Sequence, residues 1–185
     1  MRVSRAQFQE NREKILQAAA RLFRERGFDQ VGVADVMKAA GLTHGGFYGH
    51  FKSKDDLIVQ AALEASNAVV ERWGKIVEAQ GEGAMKTFAE AYLGPEHLAS
   101  PGAGCVVAAL GPEIARQPPA ARGALTASLK KVVELLQTAA PGASEAAKRK
   151  QALAAYSSWI GALVLARISD DPAFSKEVLE AVGEG

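Results

Sequence analysis

Between residues 33 and 51, two short apolar stripes stand on either side of a glycine. Val33, Val36, Met37 and Ala40 recur at helical spacing, Gly41 interrupts them, and Phe47 and Phe51 follow one turn apart. A short helix, a glycine turn and a second short helix make the layout of a helix-turn-helix. Glycine at position 41 permits the positive φ that such a turn needs. Leu42 is expected to point inward and set the angle between the two helices. Phe47 and Phe51 are expected to anchor the second helix on Ile15, Leu22 and Val36.

The same periodicity runs through the rest of the chain. Ile15, Leu16, Ala19, Leu22 and Phe23 share one face of a helix over 7–26, which Gly27 stops and onto whose last turn Phe28 can fold back. The turn unit is expected to be helical over 33–40 and about 43–51. Ser53 then caps a long helix reaching about Gln80, with Asp55 and Asp56 in the first turn, where the helix dipole favours them. Beyond Gly81 the spacing predicts helices over 82–93, 104–116, 119–139, 145–169 and 172–182. Residues 94–104 read as a loop, with or without one helical turn, and Pro141-Gly142 as a tight connection between antiparallel neighbours. No strand alternation and no internal repeat appears, so the expected fold is all-α.

Composition narrows the function classes. Of 185 residues, 48% are apolar and 23% charged, as in a globular protein. The longest apolar run, WIGALVLA at 159–166, is far short of the about 20 residues that span a bilayer. The start, MRVSRAQFQENREK, has basic charge with no apolar stretch behind it, so no leader is expected and a cytoplasmic location is. One cysteine excludes an internal disulfide framework and a cysteine-cluster zinc site. Residues 1–54 hold ten Lys/Arg against five Asp/Glu, whereas 55–185 hold twelve against sixteen. A basic first part beside an acidic remainder points to a polyanion partner for the first part.

The outward face of the 43–51 helix carries Thr43, His44, Gly45 and Tyr48, where a solvated helix would carry Lys and Glu. Small polar residues let the backbone approach base edges in a DNA major groove. Thr43 is expected to cap that helix, Tyr48 and His50 to donate to phosphate oxygens, and Lys52 and Lys54 to add charge beside them. Arg2 and Arg5 read equally as a minor-groove arm or as a free terminus.

The run VADVMKAAGLTHGGFYGHFKSKDDLI at 33–58, preceded by AARLFRERGF at 19–28, closely resembles the DNA-binding domain of TetR-family transcriptional regulators. The resemblance covers about the first 60 residues and rests on AAGLT, FYGHF and KSKDDL in that order. It implies a helix-turn-helix repressor that dimerises through its C-terminal helices and releases operator DNA when a small-molecule inducer binds. Matched position by position, the family's base-reading and phosphate-binding sites fall on Thr43, His44, Gly45, Tyr48, His50 and Lys54. Val31-Gly32 depart from the pattern, since the family usually has a Ser or Thr just before the second helix. Glycine can still serve as N-cap, but the hydroxyl contact to phosphate is absent. The organisation expected is a helix-turn-helix DNA-binding domain at 1–53 and a helical regulatory and dimerisation domain at 54–185.

Other chemistries fit less well. The glycines match neither GxGxxG nor GxxxxGK[ST], and no strand precedes them. His44 and His50 lie on different faces without a carboxylate or thiol partner, so no metal site is expected. No catalytic constellation is organised and no cofactor is expected. Leu125, Leu129, Val132, Val133 and Leu136 on 119–139, with Leu153, Tyr156, Trp159, Ile160, Leu163 and Val164 on 145–169, are expected to form a four-helix homodimer interface. The alternative is that they complete the subunit's own core. Trp73, Met85, Phe88, Tyr92, Cys105 and Trp159 are candidates for lining a ligand pocket. Cys105 reads either as an inert small hydrophobe or as a thiol sensing electrophiles or oxidants from a helix N-terminus.

Overall fold

The computed structural model describes residues 4–183. Ten α-helices, joined in places by single 3₁₀ turns and short loops, hold most of the described residues. They are α1 (Arg5–Arg26), α2 (Val33–Ala39), α3 (Phe47–His50), α4 (Lys54–Gln80), α5 (Ala84–Leu93), α6 (Pro95–Ala99), α7 (Val106–Ala115), α8 (Pro119–Ala139), α9 (Glu145–Ile168) and α10 (Pro172–Gly183). Of the two residues read equally as an arm or a free terminus, Arg2 lies outside the described residues and Arg5 is the first residue of α1.

Capping chemistry sets the helix ends that shape the N-terminal unit. The Ser4 hydroxyl accepts from the Gln7 N–H at 3.1 Å and starts α1. Gly27, at φ 84°, ends it by donating its N–H to the Phe23 carbonyl, and Phe28 packs edge-on against Phe23 at 5.4 Å. At the end of α2, Leu42 N–H reaches the Met37 carbonyl at 2.9 Å and Gly41 N–H the Lys38 carbonyl at 3.1 Å. That pair of bonds is a Schellman motif, with Gly41 at φ 70° in the left-handed position and Leu42 packed back on the core. The Ser53 hydroxyl accepts from Asp56 N–H while the Asp56 carboxylate accepts from the N–H of Lys52, one residue before the cap, and together these bonds launch α4. The Lys52 amide is the main reason the Asp56 carboxyl titrates below the ordinary range, although burial opposes it.

The expected single helix over 43–51 is instead a 3₁₀ turn, His44–Gly46, running into α3. Thr43 holds the N-cap backbone position, but its hydroxyl makes no capping bond, which corrects the sequence expectation. Gly45, Gly46 and Gly49 disfavour helix by about 1 kcal/mol each, so the first turn tightens where no cap supports it. Burial of Phe47 and Phe51, at 0% and 2% exposure, contributes about 1.5–3 kcal/mol each and holds the segment in place.

Two cores result. The first gathers Ile15, Leu22, Phe23, Val36, Phe47, Phe51 and Leu57 and takes in Val106 and Leu110 from α7 and Leu125 from α8. The second gathers Trp73, Phe88, Tyr92, Val132, Leu136, Tyr156, Trp159 and Leu163 from α4, α5, α8 and α9. Helix α4 crosses from one to the other. The apolar residues of α8 expected at a subunit interface are therefore inside their own subunit. Leu125, Val132, Val133 and Leu136 are buried, as are Tyr156, Trp159 and Leu163 of α9. The physical reason is that α8 packs between α4 and α9, and its outward residues are Arg122, Thr126, Lys130, Lys131 and Glu134.

A Cβ at Gly41 would meet nothing within 4 Å, so substitution there isolates the backbone cost. Gly41→Ala is expected to lower unfolding free energy by about 1–2 kcal/mol, the cost of a left-handed L-residue, measured as a shift in the urea midpoint at unchanged m.

Candidate nucleic-acid interface and ligand chamber

The tip of the N-terminal unit presents the residues that the sequence singled out. Thr43, His44, Gly45 and Gly49 are exposed, and Tyr48 is 71% exposed although it follows the fully buried Phe47. Its ring meets Phe47 edge-on at 5.2 Å, which fixes where the phenol projects. Lys52 is exposed and Lys54 half-buried, and neither forms an ion pair among the described residues. His50 differs from the others. Its ring stacks on Phe8 at 4.1 Å, it is half-buried, and its Nδ1 has no partner. Burial first, then the nearby Arg12 charge, hold the imidazole pKa below its ordinary value. The ring is therefore neutral in the folded chain at neutral pH.

Arg12 is the residue that sequence reasoning missed here. From α1 its guanidinium donates to the His50 carbonyl at 2.6 Å and to the Gln60 side chain, and it lies 4.5 Å from the Phe51 ring centre. Gln60 in turn donates to Asp56 at 2.6 Å. One cation thus ties the end of α3 to α1 and to the first turns of α4. Its only signal in the sequence is an arginine placed one turn before Ile15, which charge counting does not separate from a solvated surface. At Gly32, the Asp35 carboxylate accepts the Gly32 N–H at 2.9 Å, which is one half of a capping box, while the hydroxyl half has no counterpart.

The second candidate site is a chamber of about 400 Å³ in the C-terminal helices. Trp73, Tyr92 and Cys105 line it, as expected, whereas Phe88 and Trp159 are buried behind them and Met85 lies elsewhere in the same core. Trp73 stacks on Phe88 at 4.6 Å, and Trp159 lies 5.9 Å from Tyr92. Residues not anticipated from sequence complete the walls, chiefly Val69, Ile76, Leu129, Tyr156, His97 and Arg72. Tyr156 could have been found as the one hydroxyl on the apolar stripe of α9. His97 could not, because its partners come from residues on either side of α6.

Segment 94–105 is held by hydrogen bonds of His97, Arg167 and Arg24. His97 Nδ1 donates to the Tyr92 carbonyl at 2.7 Å, and the Cys105 N–H donates to His97 Nε2 at 2.9 Å. Arg167 of α9 donates to the His97 carbonyl, and Arg24 of α1 to the Gly102 carbonyl. Cys105 is the N-cap residue of α7, with its Sγ 3.7 Å from the Tyr156 hydroxyl. The Tyr92 hydroxyl is buried with no partner. Burial above all, with the neighbouring thiol second, pushes the Tyr92 phenol far above its ordinary value.

Residues 15–61 match the family described as "Bacterial regulatory proteins, tetR family". Over 56 residues the chain is 43% identical to the HTH-type transcriptional regulator AcrR of Shigella flexneri, covering 30% of this chain and 26% of that protein. Over 82 residues it is 34% identical to the HTH-type transcriptional regulator TtgR of Pseudomonas putida, covering 44% and 39%. The matched part is thus well under half the length of either relative. The structure of E. coli NemR in its reduced form is similar over 94% of both chains, with a TM-score of 0.78 at 24% identity. That last similarity is one of fold.

His97 gives the chamber a pH dependence. With Nδ1 donating and Nε2 accepting, only the neutral ring satisfies both partners, and burial lowers its pKa from the ordinary 6.5. The unfolded chain then takes up its proton first as pH falls, so stability is full above about 6.5 and is lost on acidification through the lowered folded value. The thermal midpoint is expected to fall steadily below about pH 6.5. A His97→Gln chain, which cannot titrate there, should lose less over the same interval.

Proposed function

We propose that this member of the TetR family of bacterial regulatory proteins is a cytoplasmic, DNA-binding transcriptional regulator that acts as a homodimer, released from its operator by a small molecule. The observation that carries the reading is the tip itself. A phenol 71% exposed stands beside exposed Thr43, His44 and Gly45, on a segment anchored by two buried phenylalanines. Residues 1–53 are the DNA-binding part and 54–185 the regulatory and dimerising part in this reading. Thr43, His44 and Gly45 face base edges, while Tyr48, Lys52 and Lys54 meet phosphates. His50 contributes mainly through its carbonyl, which Arg12 holds, and through any reach of its exposed ring edge.

The partner-facing surface moves from α8 to α9 and α10. Leu153, Leu165, Ile168 and Phe174 are exposed, Ile168 at 74%, and open space surrounds Gly161 on the same helix. Those residues support an isologous interface through α9 and α10, with α8 contributing structure from behind. Pairing places two tips on successive turns of one duplex face, roughly 34 Å apart.

Coupling between chamber and tip runs through side chains of both parts. Arg24 of α1 holds the Gly102 carbonyl beside the chamber wall at 2.9 Å, and Glu113 of α7 accepts the Phe28 N–H at 2.6 Å. A ligand that displaces segment 100–105 displaces both ties along with α4, and so biases the tips between two placements. Binding to labelled duplex selected from a random pool tests the reading. Tyr48→Ala should weaken it at least tenfold, as loss of one charged-group contact worth about 1.5–3 kcal/mol requires. Lys54→Ala should also flatten the salt dependence by about one unit of slope. Ile168→Asp should run as a monomer on gel filtration and lose duplex affinity. Unchanged duplex binding in Tyr48→Ala and Lys54→Ala together would sink the proposal.

A second reading keeps the scaffold and makes Cys105 the sensor. It is favoured by the thiol's place at the start of a ten-residue helix on the chamber wall, and by Arg24 and Arg167 close to it with no carboxylate partner among the described residues. Alkylation by iodoacetamide is expected to lower duplex affinity of the wild type and to leave Cys105→Ser unaffected. A Cys105→Ser protein that responds equally would eliminate this reading.

A further inference from the structure

We infer that the chamber receives an amphiphilic organic anion, its apolar body held inside and its single acidic group paired with Arg72 at the mouth. This rests on the reading of the chamber as the regulatory site, and it adds the chemical class of the occupant.

The walls divide by depth. Trp73, Tyr92, Cys105 and Tyr156 line the chamber from buried positions, whereas Arg72, Glu96 and Ser100 line it from exposed ones. The interior is thus aromatic and apolar, and the polar groups gather at the mouth. A chamber of about 400 Å³ lies within the range that holds one small molecule. Trp73 meets Tyr156 at 79° with ring centres 6.5 Å apart, a corner that stacks a flat apolar body on one wall while the other meets its edge.

The charges around this space are out of balance. Arg72 and Glu96 are the charged lining residues, and neither forms an ion pair among the described residues. Arg24 is bonded to the Gly102 carbonyl, and Arg167 to those of His97 and Leu98. Carbonyl dipoles do not neutralise a guanidinium charge, and the Nη1 atom of each arginine is buried with no partner. Glu25, beside Gly102, pairs with Arg21 instead. A Cβ on Gly104, a lining residue, would stand 3.3 Å from Arg167 Nη2, so that charge lies just behind the wall. After burial, the charges of Arg167 and Arg72 both help to hold the His97 pKa down. Three cations are therefore answered by one lining carboxylate. Uncompensated positive charge beside a low-dielectric space favours a negative group at its rim. Arg72 is the cation whose side chain lines the void, and a guanidinium takes a carboxylate through two parallel N–H donors. Glu96 at the same mouth repels a second negative charge, so the occupant carries one.

Three matched probes test this: naphthoate, naphthamide and naphthylmethylammonium, which share one ring system and differ in charge. Dissociation constants come from equilibrium dialysis, and quenching of tryptophan emission, with Trp73 in the chamber wall, locates the probe. Naphthoate is expected to bind the wild type about tenfold tighter than naphthamide, with the ammonium probe weakest. Added salt should weaken naphthoate binding and leave naphthamide binding as it was. Arg72→Gln should erase the preference for naphthoate while leaving naphthamide itself unchanged. Arg72→Lys should keep part of the preference, and Glu96→Gln should sharpen it. Arg72 is exposed and unpaired, so the thermal midpoint of Arg72→Gln should match that of the wild type.

Equal binding of naphthoate and naphthamide, a preference that survives Arg72→Gln, tightest binding of the ammonium probe, or no binding of any probe would each overturn the inference. If the Arg72-dependent preference appears but naphthoate leaves duplex affinity unchanged, the ligand class stands, and ligand-controlled release is what fails.

Discussion

Everything at the exposed tip of the N-terminal unit depends on the burial of Phe47 and Phe51 beneath α1 and α4. Three glycines in that short segment cost about 3 kcal/mol of helix preference, and its first turn lacks a side-chain cap. The two phenyl rings, stacked at 5.7 Å, recover about 3–6 kcal/mol by leaving water. Arg12 then closes the far end through the His50 carbonyl and the face of Phe51. The anchoring comes from below, so the upper surface is free to be thin. That is why Tyr48 can project beside a residue that is wholly buried.

The same economy of ties links the two halves. Helix α4 is shared by both cores, and α7 adds Val106 and Leu110 to the first while Cys105, at its start, faces the chamber. Arg24 and Glu113 bridge in opposite directions, one from α1 to the chamber-side loop and one from α7 to the residue after α1. At the Glu113 bridge Gly27 takes φ 84°, which favours glycine, and at the Arg24 bridge a Cβ on Gly102 would displace the side chain of Glu25. The chamber wall and the N-terminal unit are thus joined by these two hydrogen bonds besides the length of α4.

Much of the architecture was legible because its signals are local. Gly27, Gly41 and Gly81 all adopt positive φ at helix ends, where a missing Cβ is an advantage that can be read from one letter. Ser53 with Asp56 reads as a cap for the same reason. The 3₁₀ turn at His44–Gly46 was not legible, since it reflects competition between weak glycine propensity and distant packing. Half of the expected chamber residues proved to be backing for the others, because periodicity reports which face is apolar but not which apolar face meets a void. The stripe on α8 illustrates the same limit. Its residues suited a subunit interface as well as a core, and the choice depended on α4 and α9 closing over it.

The amino-acid sequence by itself determined the all-helical class, the position of nearly every helix end and the identity of the exposed tip. Each of these follows from residues within one or two turns of each other. Only the tertiary structure decided that His97 must be neutral, that Tyr92 keeps an unanswered hydroxyl and that Arg12 secures α3. It also decided that the uncovered apolar face belongs to α9 and α10. These features arise where groups far apart in the chain converge, and convergence is set by how whole helices pack rather than by any local pattern.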